Sequence, residues 1–392
     1  MSHYPYIIVG GGLTADAAVR GIRRFDANST IALFSSESVL PYNRPPLSKA
    51  LWKGEPEDVL WRKTPTDNVD LKLKSTVVSL NSTRKHVTTD SGETYGFDRL
   101  LLATGGTVRK LPYNAPGIVY FRDLNDYRLM RQITEKPRKI AVIGGGFIGA
   151  EMAAAFAMNK HDVTMLFPDS GIGVKIYPAA LSQFLNTFYE SKGVRVLAGE
   201  KVTGVEFHDS TYTVTTESGK SVTADAVVAG IGIQPDVALA KDGNLTVSNG
   251  IAVDKYLRTI NPDIFAAGDV AEFPDAVLGI RRRVEHEDHA SHSGEIAGMN
   301  MAGANRPYDH LPFFYSDLFE LGYEAVGLLD SRMQIVEQWK EPFKEGVVYY
   351  LDHNRVRGVL LWNTWGQLDP ARALIADPGP YSESKVKGRL PA

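Results

Sequence analysis

Two glycine fingerprints constrain this chain more than any other feature of it. Residues Ile140 to Ile143 form an apolar strand that runs into Gly144-x-Gly146-x-x-Gly149 and then into the helix-forming run from Glu151 to Met158. Each glycine of such a pattern has its own task. The first permits a tight turn, the second lets backbone approach a pyrophosphate, and the third lets helix and strand pack closely. The helix start then presents backbone N–H groups and a positive dipole end to phosphate. Tyr6 to Val9 opens the chain with the same grammar: Gly10 and Gly12, then Ala15, an accepted substitute at the third position. One fingerprint is weak evidence. Two, each set between a strand and a helix, predict two dinucleotide-binding units in an α/β chain.

The segments around the fingerprints supply candidate ligands. The second strand, Ile31 to Phe34, leads to Glu37, whose carboxylate can accept from a ribose diol; a solvated loop glutamate is the other reading. Pro45 and Pro46 make a stiff turn before a helix near Leu47 and present Arg44 and Lys49, either to a cofactor or as surface cations. Short strands are expected over Val69 to Val78 and Lys85 to Tyr95, and a buried strand from Arg99 returns to a glycine turn at Thr104, Gly105 and Gly106. A linker at Lys110 to Gly117 precedes Arg122 and a helix. After the second fingerprint, the strand beginning at Val163 ends near Asp169. An acid there favours a free ribose 2′-hydroxyl, hence NADH over NADPH, although Lys175 lies nearby. Gly232 closes this unit. The strand Ile264 to Ala266 leads to Gly268 and Asp269, where a carboxylate can receive a polyol chain, and a helix is expected from Glu285 to Met301. A strand-rich tail follows, with a short helix near Pro370 to Ala376 and loose, polar last residues.

Composition removes whole classes of chemistry. With no cysteine, the chain has no disulfide, thiolate metal site, thiol nucleophile or redox-active disulfide. A net charge of −3 gives no electrostatic reason to expect nucleic acid or an anionic membrane as partner. No apolar run approaches the roughly 18 residues of a membrane span. The first strand begins within a few residues of Met1, so no signal or transit peptide is expected and a cytoplasmic location is the simplest inference.

Several strings together resemble one family. They are the paired fingerprints, Leu40 to Lys49, Ala103 to Gly106 and Ile264 to Asp269. The chain is similar to flavoproteins of the ferredoxin-reductase and glutathione-reductase class. Gly144 to Glu151, Leu166 to Asp169, Arg281 to His289, Gly322 to Gly327, Gly346 to Leu351 and Gly358 to Asn363 resemble its apoptosis-inducing factor-like members. The resemblance implies two Rossmann-like domains and a C-terminal α+β interface domain. An FAD domain would comprise residues 1–111 and 236–311, an NAD domain residues 112–235, and the interface domain residues 312–392. FAD would meet Gly10, Gly12, Ala15, Glu37, Arg44, Lys49, Val77, Thr104, Gly105, Arg122, Asp269, Glu285, His286 and Tyr315. NADH would meet Gly144, Gly146, Phe147, Ile148, Gly149, Asp169, Lys175, Gly232, Glu285 and Glu324. Tyr315 stands where the family has tryptophan, which implies a weaker stacking contact. Residues 330–344 are short where the family carries a long insertion, and DNA binding and cell-death signalling are not carried over.

Hydride transfer then depends on how the protein positions and polarises two cofactors. The resemblance implies that Lys49, paired with Glu151, lies near the flavin. Phe147, inside a glycine loop, is poorly explained as core and is expected to cover the flavin. The start of the Glu285 helix, with His286, is expected on the pyrimidine side of the flavin, where its dipole favours negative charge. His286 and His289 share a helical face, so a two-histidine metal site is geometrically possible, but acids at a helix start also serve the dipole and no metal is expected. Arg281, Arg282 and Arg283 read either as a docking patch for an acidic electron carrier or as a solvated face. The expected partner is a small-molecule or small redox-protein acceptor: oxygen, a quinone or an iron–sulfur protein. A homodimer is expected too, constitutive or prompted by NADH. A redox-sensing module with slow turnover and a dedicated ferredoxin or rubredoxin reductase are the competing readings.

Overall fold

The protein is described by a computed structural model covering residues 1–113 and 115–392. Asn114, within the expected linker, lies outside the described residues. Two compact units are present. The first comprises Met1–Asn43, Glu57–Thr107 and Gln234–Phe313, the second Arg44–Pro56, Val108–Ile233 and Phe314–Ala392.

The first unit is built on one mixed sheet. Its order is Val69–Leu73, Ile31–Ser35, Ser2–Val9, Thr94–Leu102, His86–Thr89, Val77–Asn81, with Ile264–Ala266 also paired to Thr94–Leu102. The strands before each expected ligand run parallel: Val9 pairs Phe34 and Leu102, and Ala266 pairs Leu102. Ile7, Ile8, Leu33, Leu100, Leu101 and Phe265 are buried in its core, as expected of parallel strands covered on both faces. The single strand expected over Val69 to Val78 is two. Lys74 adopts a left-handed conformation (φ 53°) at the break. The run from Lys85 to Tyr95 likewise folds into the hairpin of His86–Thr89 with Thr94–Leu102.

Helix Leu13–Arg23 crosses helix Glu287–Met301 unusually closely. A Cβ added at Gly21, Gly294 or Gly298 would lie 2.2, 2.4 or 2.1 Å from a carbonyl oxygen of the other helix. This small-residue seam was not apparent in the sequence, because Gly21 lies far in the chain from Gly294 and Gly298. It holds the first fingerprint helix to the segment that follows Asp269. The second of these helices begins at Glu287, not Glu285, with His286 as its extended N-cap residue (φ −129°, ψ 151°); the extended backbone at His286 ends the preceding loop.

Among the described residues, the second unit contains three sheets. A parallel one has the order Val194–Ala198, Asp162–Phe167, Lys139–Ile143, Ala226–Ala229. A three-stranded antiparallel sheet is formed by Val202–His208, Thr211–Thr216 and Ser221–Ala224. The third has the order Phe313–Leu318, Leu321–Gly327, Arg355–Trp362, Glu345–Asp352, Gln334–Glu341. Residues 330–344, seen in the sequence only as a short connection, thus contain an edge strand.

The expected linker is pinned at several points. The Tyr113 hydroxyl donates to the Val202 carbonyl at 2.5 Å and the Tyr212 hydroxyl to the Pro116 carbonyl at 2.8 Å. The last residues are not loose either. Glu383–Val386 is a helical turn, Val386 and Leu390 are buried, and the Gln338 amide donates to the Leu390 carbonyl at 3.1 Å. Buried apolar side chains and backbone bonds to Gln338 and Tyr349 outweigh the polar composition around them.

Candidate active site

In the first unit the sequence-predicted residues gather at the C-terminal ends of parallel strands, where open α/β sheets bind ligands. Gly10 follows Val9, Glu37 follows Ser35 by two, Thr104 follows Leu102 by two, and Asp269 follows Ala266 by three. Gly10 has φ 118°, and a Cβ there would lie 2.1 Å from the Ala103 carbonyl oxygen, so the turn requires glycine. Gly12 differs. Nothing lies within 4 Å of a Cβ built on it, and helix Leu13–Arg23 has no side-chain cap hydrogen bond at its start. Ala15 is fully buried beneath this turn.

Glu37 is oriented by the Tyr42 hydroxyl, which donates to it at 2.7 Å. The Thr104 hydroxyl donates to the Asp236 carbonyl at 2.7 Å, and the Asp236 amide to the Gly105 carbonyl at 3.0 Å, closing that turn. Asp269 sits in the short helical turn Gly268–Val270, whose Gly268 amide donates to the Ser293 hydroxyl at 3.0 Å. Val77 is part of the apolar core, at the head of strand Val77–Asn81.

The three arginines are spent internally. Arg281 donates to the carbonyls of Val253 and Glu272, Arg282 to Asp275, and Arg283 to Asn249, Asp269 and the Glu285 carboxylate. Arg283 joins the Asp269 and Glu285 segments, while Arg281 remains exposed to solvent. His286 and His289 do not make a pair of ligands. His289 is fully buried, stacks on Phe273 at 4.8 Å and lies 2.7 Å from the Tyr308 hydroxyl through Nδ1. Burial pushes its pKa down to about 3, which keeps the ring neutral.

In the second unit the same logic recurs. Gly144, Asp169 and Gly232 follow the parallel strands ending at Ile143, Phe167 and Ala229. Gly144 (φ 122°) could not carry a Cβ, which would lie 2.3 Å from the Gly230 carbonyl oxygen, and one on Gly149 would lie 2.1 Å from that of Gly144. Gly146, like Gly12, has open space above it and begins a helix, Phe147–Met158, without a side-chain cap bond. Lys175 reaches Asp169 at 3.7 Å, and the Arg109 amide donates to the Gly232 carbonyl at 2.9 Å. Glu324, in strand Leu321–Gly327, has a buried Oε2 with no hydrogen-bond partner among the described residues, and burial raises its pKa.

Lys49 and Glu151, about a hundred residues apart in sequence, meet at 2.7 Å. The Glu151 carboxylate also accepts from the hydroxyls of Ser48 and Ser316, both at 2.6 Å, and is only 4% exposed. Three donors on one buried carboxylate leave Glu151 little rotational freedom and hold Lys49 with it. Tyr315 adds its ring face at 5.3 Å from Lys49 Nζ. Phe147, at the first helical position, is 38% exposed and meets Phe314 edge-on at 5.6 Å; Ile148 beside it is 36% exposed. Arg44 donates to the Arg122 carbonyl at 2.8 Å.

Pro45 and Pro46 start a 3₁₀ turn, Pro45–Ser48, and a second, Ala50–Lys53, follows in place of a continuous helix. Trp52 anchors both. Its indole N–H donates to the Leu47 carbonyl at 2.8 Å, and its ring packs edge-on against Tyr127 and Phe156. Trp52, Ser48 and Ser316 escaped the sequence reading. The two serines had a signal there, their places next to Lys49 and Tyr315.

These features fit two nucleotide cofactors. Each fingerprint has open space at its second glycine and a helix start without a side-chain cap, and Glu324 Oε2 has no donor among the described residues. The fold and site define a pyridine nucleotide-dependent flavoprotein oxidoreductase. Residues 4–294 match the family model described as pyridine nucleotide-disulphide oxidoreductase, and the chain belongs to that family. Residues 297–342 and 334–377 match the model described as apoptosis-inducing factor, mitochondrion-associated, C-term. The mitochondrial apoptosis-inducing factor 1 of Dictyostelium discoideum is 34% identical, with 96% of this chain and 79% of the relative covered. Monodehydroascorbate reductase 2 of Arabidopsis thaliana is 32% identical over 97% of this chain and 95% of its own. Putidaredoxin reductase, solved in covalent complex with putidaredoxin, superposes with a TM-score of 0.90 at 29% identity, covering 97% and 94% of the two chains. The protein is thus an FAD-dependent NAD(P)H oxidoreductase. Despite the family's description it has no cysteine, so no thiol–disulfide relay operates within the chain.

Proposed function

We propose that the protein takes reducing equivalents from NADH and delivers them to a small soluble acceptor, of which a small redox protein is favoured over oxygen or a quinone. With both nucleotides bound, the nicotinamide supplies a hydride and the flavin accepts it and passes the electrons on. One observation carries this reading: the buried Lys49–Glu151 pair, fixed by Ser48 and Ser316, in a chain without thiols. Glu151 orients the ammonium, and the ammonium stabilises negative charge developing at its tip. Gly12 and Gly146 admit pyrophosphate to their helix starts, Glu37 and Asp169 accept from ribose hydroxyls, and Phe147 covers the ring it faces. The similarity to putidaredoxin reductase supports a protein acceptor. We assign residues 1–111 with 236–311 to the flavin nucleotide, 112–235 to NADH and 312–392 to an interface domain, in a cytoplasmic homodimer.

Anaerobic rapid mixing tests the reading. Fast flavin bleaching by NADH, slower by NADPH, followed by reoxidation by one preferred protein acceptor is expected. Asp169→Ala should narrow the gap between the two nucleotides, and an unchanged ratio overturns the role given to Asp169. The match of the C-terminal segment to the apoptosis-inducing factor model favours a second reading, a slow NADH-sensing module. Slow bleaching, a persistent long-wavelength band and an elution volume changed by NADH would select it.

A further inference from the structure

We propose that Asp288, His292 and His310, none of them among the nucleotide residues, bind one divalent transition-metal ion of the zinc class in the first unit. Asp288 and His292 are four apart on helix Glu287–Met301, so their side chains share one face. His310 arrives from the segment after the helix and is held there by its neighbours. Tyr308 is buried against Phe273 and His289, its amide donates to the Lys255 carbonyl at 2.7 Å, and Asn300 ties down Arg306 through both its amide and its carbonyl.

The two imidazoles stack face to face with ring centroids 3.8 Å apart and planes 11° from parallel. Both reach one carboxylate: His292 Nδ1 lies 3.1 Å from Asp288 Oδ1 and 2.9 Å from the Asp288 carbonyl oxygen, which a bound ion would displace, and His310 Nε2 lies 2.5 Å from Oδ2. One ligand atom from each of the three residues lies within 4.8 Å of the others. Ligand atoms of a tetrahedral zinc site, at metal distances near 2.0–2.1 Å, stand roughly 3.3 Å apart, so small side-chain shifts close the set. A divalent ion placed among them would take a lone pair from each imidazole and the charge of the carboxylate.

Two nitrogens and one oxygen suit zinc, cobalt or iron better than magnesium or calcium. The Phe313 amide donates to Asp288 Oδ2 at 3.1 Å and orients the carboxylate from behind. The Asp288 and His310 side chains are 8% and 22% exposed and His292 is 48%, which leaves an entry path and room for water at the fourth position. The nearby cations are already matched: Arg20 and Arg62 pair with Asp16, and Arg24 with Glu295. A bound ion clamps the segment around His310 to the first turn of the helix, two residues from His286.

The test uses FAD-loaded protein stripped with a chelator and titrated with zinc chloride by calorimetry, with thermal unfolding alongside. One ion per chain and a raised unfolding temperature are expected, and cobalt should give the visible bands of nitrogen ligation. His292→Ala and His310→Gln should each weaken uptake by at least about tenfold, with flavin absorbance and metal-free NADH-driven dye reduction unchanged. His292 is half exposed, so His292→Ala keeps the core intact and its flavin spectrum reports folding. No saturable uptake, or uptake by a folded His292→Ala protein equal to that of the parent, overturns the proposal.

Discussion

At the residue scale, the buried Glu151 holds three donors, one of them the ammonium of Lys49. An isolated charge in such a place is expensive, and breaking a buried pair by removing one partner costs about 3–5 kcal/mol. Glu151→Ala strands Lys49, whose side chain is only 11% exposed, and removes the acceptor of Ser48 and Ser316. The variant should lose about that much stability in chemical denaturation and reduce its flavin more slowly with NADH. Glu151→Gln, which retains an acceptor oxygen, should fall between it and the parent. Equal stability of all three would show that the pair is solvated in solution. Lys49 and Glu151 were both candidates on sequence, but their pairing came through resemblance, since nothing in local pattern joins positions about a hundred residues apart. The two serines that complete the cluster come from a turn and a distant strand.

At the scale of elements, the glycines of a fingerprint divide into two kinds. Gly10, Gly144 and Gly149 are required by backbone that a Cβ would strike, whereas Gly12 and Gly146 face open space. The second kind is free to change as far as folding is concerned, and its constraint comes from the ligand. Gly146→Ala should therefore keep the parent's thermal stability without nucleotide but bind NADH more weakly, with the Michaelis constant raised. Gly144→Ala should be destabilised with or without nucleotide. Near-parent NADH affinity in Gly146→Ala would remove that glycine from the phosphate turn. Strand, glycine turn and helix were legible in order because each is a local signal. The helix at Glu287–Met301 was legible too, though its start was placed two residues early, because acids at 285 and 287 serve a helix start equally well.

At the scale of the molecule, acid sensitivity follows from the histidines of the first unit. His289 has a folded pKa of about 3 against an ordinary value of 6.5, because burial disfavours its charged form. The unfolded chain therefore binds more protons between those values. Stability from this group is full above pH 6.5 and declines as pH falls towards 3, by roughly 5 kcal/mol at most. Asp288 acts in the same direction at lower pH, since hydrogen bonds from His292 and His310 outweigh the cost of its burial and depress its pKa. His292, raised by its bond to Asp288, works oppositely: its contribution is present below pH 6.5 and fades as pH rises through the raised value. Unfolding followed from pH 7 to pH 4 should show steadily falling stability, and His289→Gln should flatten the slope. An unchanged slope would mean that His289 is not the group being titrated.

The sequence by itself determined the two nucleotide turns, the strands that feed them and the absence of any thiol chemistry, because each depends on neighbouring residues or on composition alone. Tertiary structure decided the rest. It buried His289, tied Arg281 and Arg283 into backbone carbonyls and Arg282 to Asp275, drew His310 beside His292 and put three donors on Glu151. These are meetings of residues from separate segments, and their energies depend on burial and on partners that no local window of sequence contains.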